Sequence, residues 1–214
     1  MKTLVQLLWR VPVLLSLGLL APASSILASG ESRAQCAAVY SLMDETTLQG
    51  ALSALLSPDD LPGWIDLGGG FDVDREAGVA YYRRSFTNES GGRVRQLTLT
   101  STVEEQPQLP PQFVQPVGTV LRVGNSDVRV IEGPPIGPYS MWETSLLGPI
   151  ETIFGLQAMA VVFQVGNTRA MVALRSDDLS AEAATTAISE LATVVAQRLG
   201  WPASEQCLVL GGDR

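Results

Sequence analysis

The sequence predicts an α+β fold: an antiparallel β-sheet with an N-terminal and a C-terminal helix packed on one face. Apolar residues recur at helical spacing near both ends of the chain, and alternating strand patterns separated by turn residues fill its middle. Helices that flank a run of strands are typical of this class. The chain shows no strand–helix–strand alternation and no internal repeat, which argues against a parallel sheet or a solenoid.

The first predicted helix covers residues 46–56, where four leucines share one face. We expect Thr46 or Thr47 to be its N-cap. The sequence Ser57-Pro58-Asp59-Asp60 that follows is typical of a tight turn. The three glycines at 68–70 have no phosphate-loop lysine after them, and they predict a flexible loop.

Four strands are predicted next, at residues 79–87, 93–104, 119–123 and 128–132. The second of them alternates leucine and valine on one face with threonine on the other, as a half-buried strand does. The last two form a predicted hairpin across residues 124–127.

The best-defined local prediction is a hairpin across Gly166-Asn167. A two-residue turn there places one strongly apolar set of side chains on a single face. Its pairs are Val165 with Thr168, Phe163 with Ala170, Val161 with Val172, and Met159 with Leu174. The other face carries the pairs Gln164 with Arg169 and Ala158 with Arg175. Turn chemistry and hydrophobic pattern agree on this register, and a slip by one residue would expose the apolar face.

The last predicted element is a helix over residues 181–199. Ser180 is its expected N-cap, and Glu182 complements the helix dipole at that end. Gly200 is placed to end the helix. One apolar stripe runs along it and consists of Ala184, Ile188, Leu191, Val195 and Leu199.

Residues 1–28 predict a secretory signal peptide, which leaves residues 29–214 as a single α+β domain. Two basic residues, an apolar run and a group of small residues follow one another, as in such leaders. Cleavage could follow Ala23, Ala28 or Ala34, and Ala28 leaves the best spacing. The alternative is an uncleaved anchor, but the apolar block is shorter than the roughly 20 residues that span a bilayer. We therefore expect a protein secreted or held in the bacterial envelope or periplasm, with no stable membrane span after cleavage.

Cys36 and Cys207 are the two cysteines of the chain. An even number in an exported protein predicts one disulfide, which here would close almost the whole domain. Two separate buried thiols are the alternative.

Composition excludes several kinds of chemistry. The chain has no histidine, and Lys2 in the leader is its single lysine. The mature protein therefore lacks an imidazole base, an imidazole metal ligand and an amine for a Schiff base. The net charge is −8, and loss of a leader with two basic residues leaves −10. Such a protein should repel nucleic acid, and we expect no cofactor and no metal.

Carboxylates, hydroxyls, arginines and two cysteines remain as reactive groups, and the carboxylates include adjacent pairs. Adjacent pairs occur at Asp59/Asp60, at Glu104/Glu105 and at Asp177/Asp178. A glycosidase needs two carboxylates that face each other across a sugar, and neighbours on a strand point to opposite faces. The first and third pairs lie at turns before helices, where capping of the helix explains the acidic side chains. The acidic spacing in residues 72–76 could supply oxygens to Ca²⁺, but it departs from an EF-hand loop. We therefore expect no enzyme and no catalytic residue.

The long segment 133–155 is the predicted ligand-binding region. It is rich in proline and glycine and carries Tyr139, Met141 and Trp142 among residues with no clear strand pattern. Long loops in compact domains are often functional, and aromatic side chains can line a site for a small apolar or amphipathic ligand. Replacement of Trp142 would then weaken binding with little effect on stability. The alternative is a short helix near residues 145–154 that covers one end of the sheet, with Trp142 buried.

Three stretches resemble small exported bacterial domains. The sequence LLSPDDLPGW at 55–64, the sequence VVFQVGN at 161–167 and the closing helix with Leu191-Ala192 and Arg198-Leu199 carry the likeness. The chain resembles the PknH-like extracellular sensor domain and LpqN-type lipoproteins, although it has no lipobox and no kinase. The resemblance implies an α+β domain that binds a ligand or a partner, and it brings no catalytic residues.

The sequence therefore favours an exported, non-enzymatic domain of the ligand-binding or sensor-like kind. A structural or accessory envelope protein that binds another protein, through a sheet edge or through residues 133–155, is the second interpretation. A hydrolase dependent on Asp and Glu is the third.

Overall fold

Eight strands form one antiparallel sheet in the computed structural model, which describes residues 39–90, 93–107, 115–123, 126–145 and 157–201. The strands are β1 Ile65–Asp74, β2 Val79–Ser90, β3 Arg93–Glu104, β4 Val120–Val123, β5 Ser126–Ile131, β6 Tyr139–Ser145, β7 Gln157–Val165 and β8 Thr168–Ser176. Together with one helix before the strands and one after them, this confirms the α+β class.

The order of the strands across the sheet is β1-β2-β3-β8-β7-β6-β5-β4, and every neighbouring pair is antiparallel. The chain builds β1 to β3 as a meander, moves to the opposite edge, and returns through β4 to β8. The last strand thereby pairs with β3 in the middle of the sheet. Strands β1 and β4 are its two edges.

The predicted hairpin across Gly166-Asn167 is confirmed in every pair, from Val165 with Thr168 to Met159 with Leu174. Gly166 takes a φ of 59°, a left-handed conformation that a tight hairpin turn requires. The apolar side chains of this hairpin are buried, whereas Gln164 and Arg169 on the other face are partly exposed. Strand β3 also has the predicted bounds.

Within the described ranges, two α-helices accompany the sheet: α1, Glu45–Ser53, and α2, Ala181–Arg198. Ser180 caps α2 as predicted, because its hydroxyl accepts a hydrogen bond from the Ala183 amide at 3.2 Å. The predicted cap of α1 was wrong. Asp44 is the N-cap, and its carboxylate accepts from the Thr47 amide at 3.0 Å. An aspartate caps as well as a threonine and also complements the helix dipole.

One hydrophobic cluster joins both helices to the sheet. Leu48 and Leu52 from α1 and Ile188 and Val195 from α2 belong to it and are almost fully buried. The strands contribute Phe86, Leu97, Leu99, Val103, Trp142, Val161, Phe163 and Val172. Burial of apolar side chains on this scale is the main stabilising contribution to the fold.

Two arginines fix the end of α1. Arg84 of β2 donates to the carbonyl oxygens of Ser53 and Leu56 at 3.1 and 3.3 Å. Arg198 of α2 donates to those of Ala54 and Leu55 at 3.2 and 3.1 Å. The last carbonyls of a helix have no partner within it, so cations there satisfy them.

Two predicted loops are strands. The glycines at 68–70 lie within β1, where a β-bulge separates Asp66 from Gly69. A Cβ at Gly69 would meet the Arg83 carbonyl oxygen, so the close approach of β2 requires glycine there. Within segment 133–155, residues 139–145 form β6 between β5 and β7. The predicted turn at 124–127 is also shorter, because Val123 pairs with Ser126.

Among the residues that the structure describes, neither helix is long and apolar enough to cross a membrane. The predicted signal peptide and the predicted disulfide both lie outside the described residues, so they stay predictions.

Candidate functional site

The sheet has a core face, which carries the hydrophobic cluster, and a second face, which carries the alternate side chains of each strand. On β2, β3 and β8 the second face is exposed or half-buried apart from Thr102, which is 8% exposed. We call this part the open half; its side chains are Tyr81, Arg83, Ser85, Thr98, Thr100, Met171, Ala173 and Arg175. Polar and small side chains dominate it, in contrast to the core face of the same strands.

On β5, β6 and β7, residues near the strand ends such as Tyr139 and Gln164 are exposed or half-buried, but the middle of the second face is buried. This part, the buried half, consists of Val128, Val130, Met141, Glu143, Ala160 and Val162. None of these residues belongs to the hydrophobic cluster of the core face. The two halves meet where β7 pairs with β8.

Glu143 is the one charged residue of the buried half. The residue is 8% exposed, and its strand neighbours across β5 and β7 are Val130 and Ala160. Among the described residues, no hydrogen bond or ion pair reaches its carboxyl. Burial without a partner raises the pKa of Glu143 above its usual value, because the charged form loses its hydration. Such a carboxyl is a candidate for a ligand contact.

A row of small side chains crosses the second face and ends at Glu143. Strand pairing places Ser85 beside Thr98, Thr98 beside Ala173, Ala173 beside Ala160, and Ala160 beside Glu143. The longer side chains of Arg83, Met171 and Arg175 lie in the rows on either side. The small-residue row is therefore lower than its surroundings, and a carboxyl closes one end of it.

The structure separates the three predicted ligand-binding residues. Tyr139 and Met141 lie on the second face with Glu143, where Tyr139 is 50% exposed and Met141 is 5% exposed. Trp142 lies on the core face, is 3% exposed and donates its indole N–H to the Pro134 carbonyl at 2.7 Å. Burial of Trp142 was the alternative named above. Glu143 was missed because a single acidic residue in a presumed loop gives no sequence signal.

Asn167 has a role beyond its turn. Its amide oxygen accepts from the Tyr40 amide at 2.9 Å, and its amide nitrogen donates to the Tyr40 and Glu104 carbonyls at 2.8 and 3.2 Å. The side chain thus pairs with the backbone of the N-terminal segment much as a neighbouring strand would. This accounts for an asparagine that the sequence explains only as a turn residue.

Each predicted carboxylate pair has one member held by an arginine. Asp60 accepts two hydrogen bonds from Arg198, at 2.6 and 2.7 Å. Asp178 accepts two from Arg95, at 3.0 and 2.6 Å, and Glu104 lies 2.9 Å from Arg169. These bonds hold the pKa of Asp60 and of Asp178 well below the usual range. Capping of the Ser57 turn by Asp60 is confirmed, whereas Asp178 binds Arg95 and Ser176 instead of a helix end.

The acidic residues do not assemble into a metal site within the described part of the chain. A small pocket opens between the start of α2 and the ends of β6, β7 and β8. Its volume of about 10 Å³ is roughly the space of one water molecule. It is lined by Thr144, Met159, Leu174, Ser176, Leu179, Ala181 and Ala184.

Comparison with known proteins finds a distant structural likeness. No family model matches the chain, and no curated protein matches it. Among solved structures, the chain is similar to the extracellular domain of PknH from Mycobacterium tuberculosis, with 8% identity and a TM-score of 0.44. The match covers 71% of this chain and 95% of that chain. The resemblance to LpqN-type lipoproteins has no support from these comparisons. At this score the PknH likeness says nothing of a ligand or an activity, so function has to be inferred from the chain's own residues.

Proposed function

We propose that the protein is an exported, non-enzymatic binding domain that takes an amphipathic ligand on the second face of its sheet. The observation that carries the proposal is the small-residue row ending at Glu143, which is 8% exposed and whose carboxyl has no hydrogen bond or ion pair among the described residues. Export rests on the leader pattern of residues 1–28.

The proposal includes the position of the helices. We infer that both lie over the core face, because Leu48 and Ile188 belong to one cluster with core-face residues such as Leu99 and Val172. This arrangement leaves the open half of the second face uncovered by the two helices that the structure describes. A ligand can then lie along the row without displacing either helix.

The chemistry of the row defines the kind of ligand. The side chains of Thr98, Ala173 and Ala160 form a mostly apolar floor, which can make few hydrogen bonds to a ligand. Glu143 supplies a polar contact at one end, where its carboxyl accepts hydrogen bonds when ionised and donates one when protonated; burial raises the pKa of this group. An elongated apolar molecule with one hydroxyl, amide or amine end fits both features.

Two observations support a role without catalysis. Asp60, Glu104 and Asp178 are each engaged by an arginine, which removes one carboxylate from every adjacent pair. Glu143 has valine, alanine and methionine as its neighbours on the sheet instead of a second carboxylate. A hydrolase of the two-carboxylate kind needs both groups facing one substrate.

Native mass spectrometry of the protein recovered after export from its own host tests the proposal. We expect a bound molecule on the wild-type protein, and its loss from Thr98→Arg, which fills the row. Thr193→Arg is the matched control, because Thr193 is exposed on α2. The Glu143→Gln variant should bind more weakly. Absence of any bound molecule from the wild type, or equal occupancy in Thr98→Arg and wild type, would contradict the proposal.

A further inference from the structure

Strand β1 is an edge of unusual length. It has ten residues, whereas β4 at the opposite edge has four. Natural sheets protect their edges by keeping such strands short, by placing lysine or proline on them, or by bulges. β1 has a bulge between Asp66 and Gly69 but contains neither lysine nor proline. Beyond the bulge, six consecutive residues from Gly69 to Asp74 pair regularly with β2 and leave their outer edge unpaired among the described residues.

The apolar side chains at the start of β1 are exposed. Ile65 is 61% exposed and Leu67 is 55% exposed, although both lie in a strand. Exposed apolar residues on an edge strand favour contact with another chain.

Gly70 points to the same conclusion. Its φ is not in the left-handed region, and a Cβ built on it would meet no atom within 4 Å. Neither backbone conformation nor internal packing therefore requires glycine at this position, although glycine weakens a strand by about 0.5–1 kcal/mol relative to alanine. Glycine within a strand often marks the close approach of another backbone.

The charge of the edge selects the partner. Asp72, Asp74 and Glu76 are exposed at the end of β1, and none of them forms an ion pair within the described residues. Arg75 between them is already engaged by Glu45 at 2.5 Å. The edge is thus apolar at its start and anionic at its end. A segment that pairs with it should carry apolar side chains at one end and basic side chains at the other.

We propose that β1 is a docking edge for an extended, basic segment of a partner protein, which adds to the sheet as a ninth strand. Main-chain hydrogen bonds supply affinity in this mode of recognition, and alternate side chains supply specificity. Antiparallel pairing is favoured, as throughout this sheet. The basic residues of the partner segment then lie at its N-terminal end, beside Asp72 and Asp74. This surface is distinct from the small-residue row, so a result that contradicts one of the two proposals leaves the other unaffected.

Fluorescence anisotropy with a labelled ten-residue peptide tests the docking edge. The probe alternates threonine with lysine in its N-terminal half and with valine in its C-terminal half, and a second peptide carries glutamate in place of lysine. We expect the lysine peptide to bind with a Kd below about 1 mM. The double variant Asp72→Lys and Asp74→Lys should weaken it at least tenfold. Val120→Lys, on the opposite edge strand, is the control and should bind within twofold of wild type.

Hydrogen exchange of the same samples locates the contact. Backbone amides within residues 69–74 should gain protection when the lysine peptide binds, while those of β4 stay unchanged. The proposal is overturned if neither peptide binds, if both peptides bind equally, or if Val120→Lys loses as much affinity as the β1 variant. Dimerisation of the peptide-free protein through β1, seen by analytical ultracentrifugation, would overturn the choice of a partner segment in favour of a second copy of the chain.

Discussion

Replacement of Trp142 by alanine should destabilise the protein severely. The indole ring is buried in the core cluster, packs against the backbone of Gly133, and donates a hydrogen bond to Pro134. A buried tryptophan removes roughly 150–250 Å² from water, and large-to-small replacements of this kind cost about 3–5 kcal/mol. The indole hydrogen bond accounts for roughly 1 kcal/mol of this cost, which puts the expected loss in the upper part of that range. We expect a loss of about 4–5 kcal/mol in the free energy of unfolding.

Thermal unfolding followed by far-ultraviolet circular dichroism measures this effect. At about 2–4 °C per kcal/mol for a domain of this size, the midpoint should fall by roughly 8–20 °C. Tyr139→Ala is the control on the same strand, because Tyr139 is 50% exposed and should change stability by no more than about 0.5 kcal/mol. If Trp142→Ala melts within about 2 °C of wild type, Trp142 is not a core residue. The sequence-based interpretation of Trp142 as a ligand contact would then be favoured.

Three further predictions concern interactions that hold distant parts of the chain together. Asn167→Gly keeps the turn but loses three hydrogen bonds, so it should cost about 2–3 kcal/mol in a urea titration; an unchanged midpoint would contradict the anchoring role. The lowered pKa of Asp60 means that its bond to Arg198 stabilises the fold above about pH 4 and is lost as the pH falls further, so Asp60→Asn should flatten the acid limb of the stability curve. If the stability of Asp60→Asn fell as steeply at acid pH as that of wild type, the stabilising role of the Asp60–Arg198 bond would be contradicted. The predicted disulfide of Cys36 and Cys207 should leave no thiol for alkylation in unreduced, denatured exported protein, and two labels per chain would disprove it.

Local chemistry explains which elements could be predicted from the sequence. The β7–β8 hairpin was predicted pair by pair because Gly166-Asn167 sets the turn and the apolar alternation sets the same register. Helix α2 was predicted because Ser180 and Gly200 mark its two ends. In both cases the signals lie within a few residues of the element that they define.

Elements that depend on distant residues could not be predicted. The glycines of β1 have low strand propensity, and their strand state comes from pairing with β2 and from the approach of the Arg83 carbonyl to Gly69. Strand β6 is flanked by proline and glycine, and its place between β5 and β7 is a matter of topology. Asn167 binds Tyr40 across 127 positions of sequence, which no local pattern encodes. The small-residue row likewise exists only once five strands are aligned.

Methyl NMR of the exported protein shows whether a ligand lies on the second face of the sheet. Spectra are compared before and after the bound molecule is removed. We expect the methyl signals of Ala160, Ala173 and Met171 to shift, while those of Ala170 on the core face and the exposed Met43 stay in place. Shifts confined to Ala170 or Met43, with the second-face methyl groups unchanged, would contradict this position of the ligand.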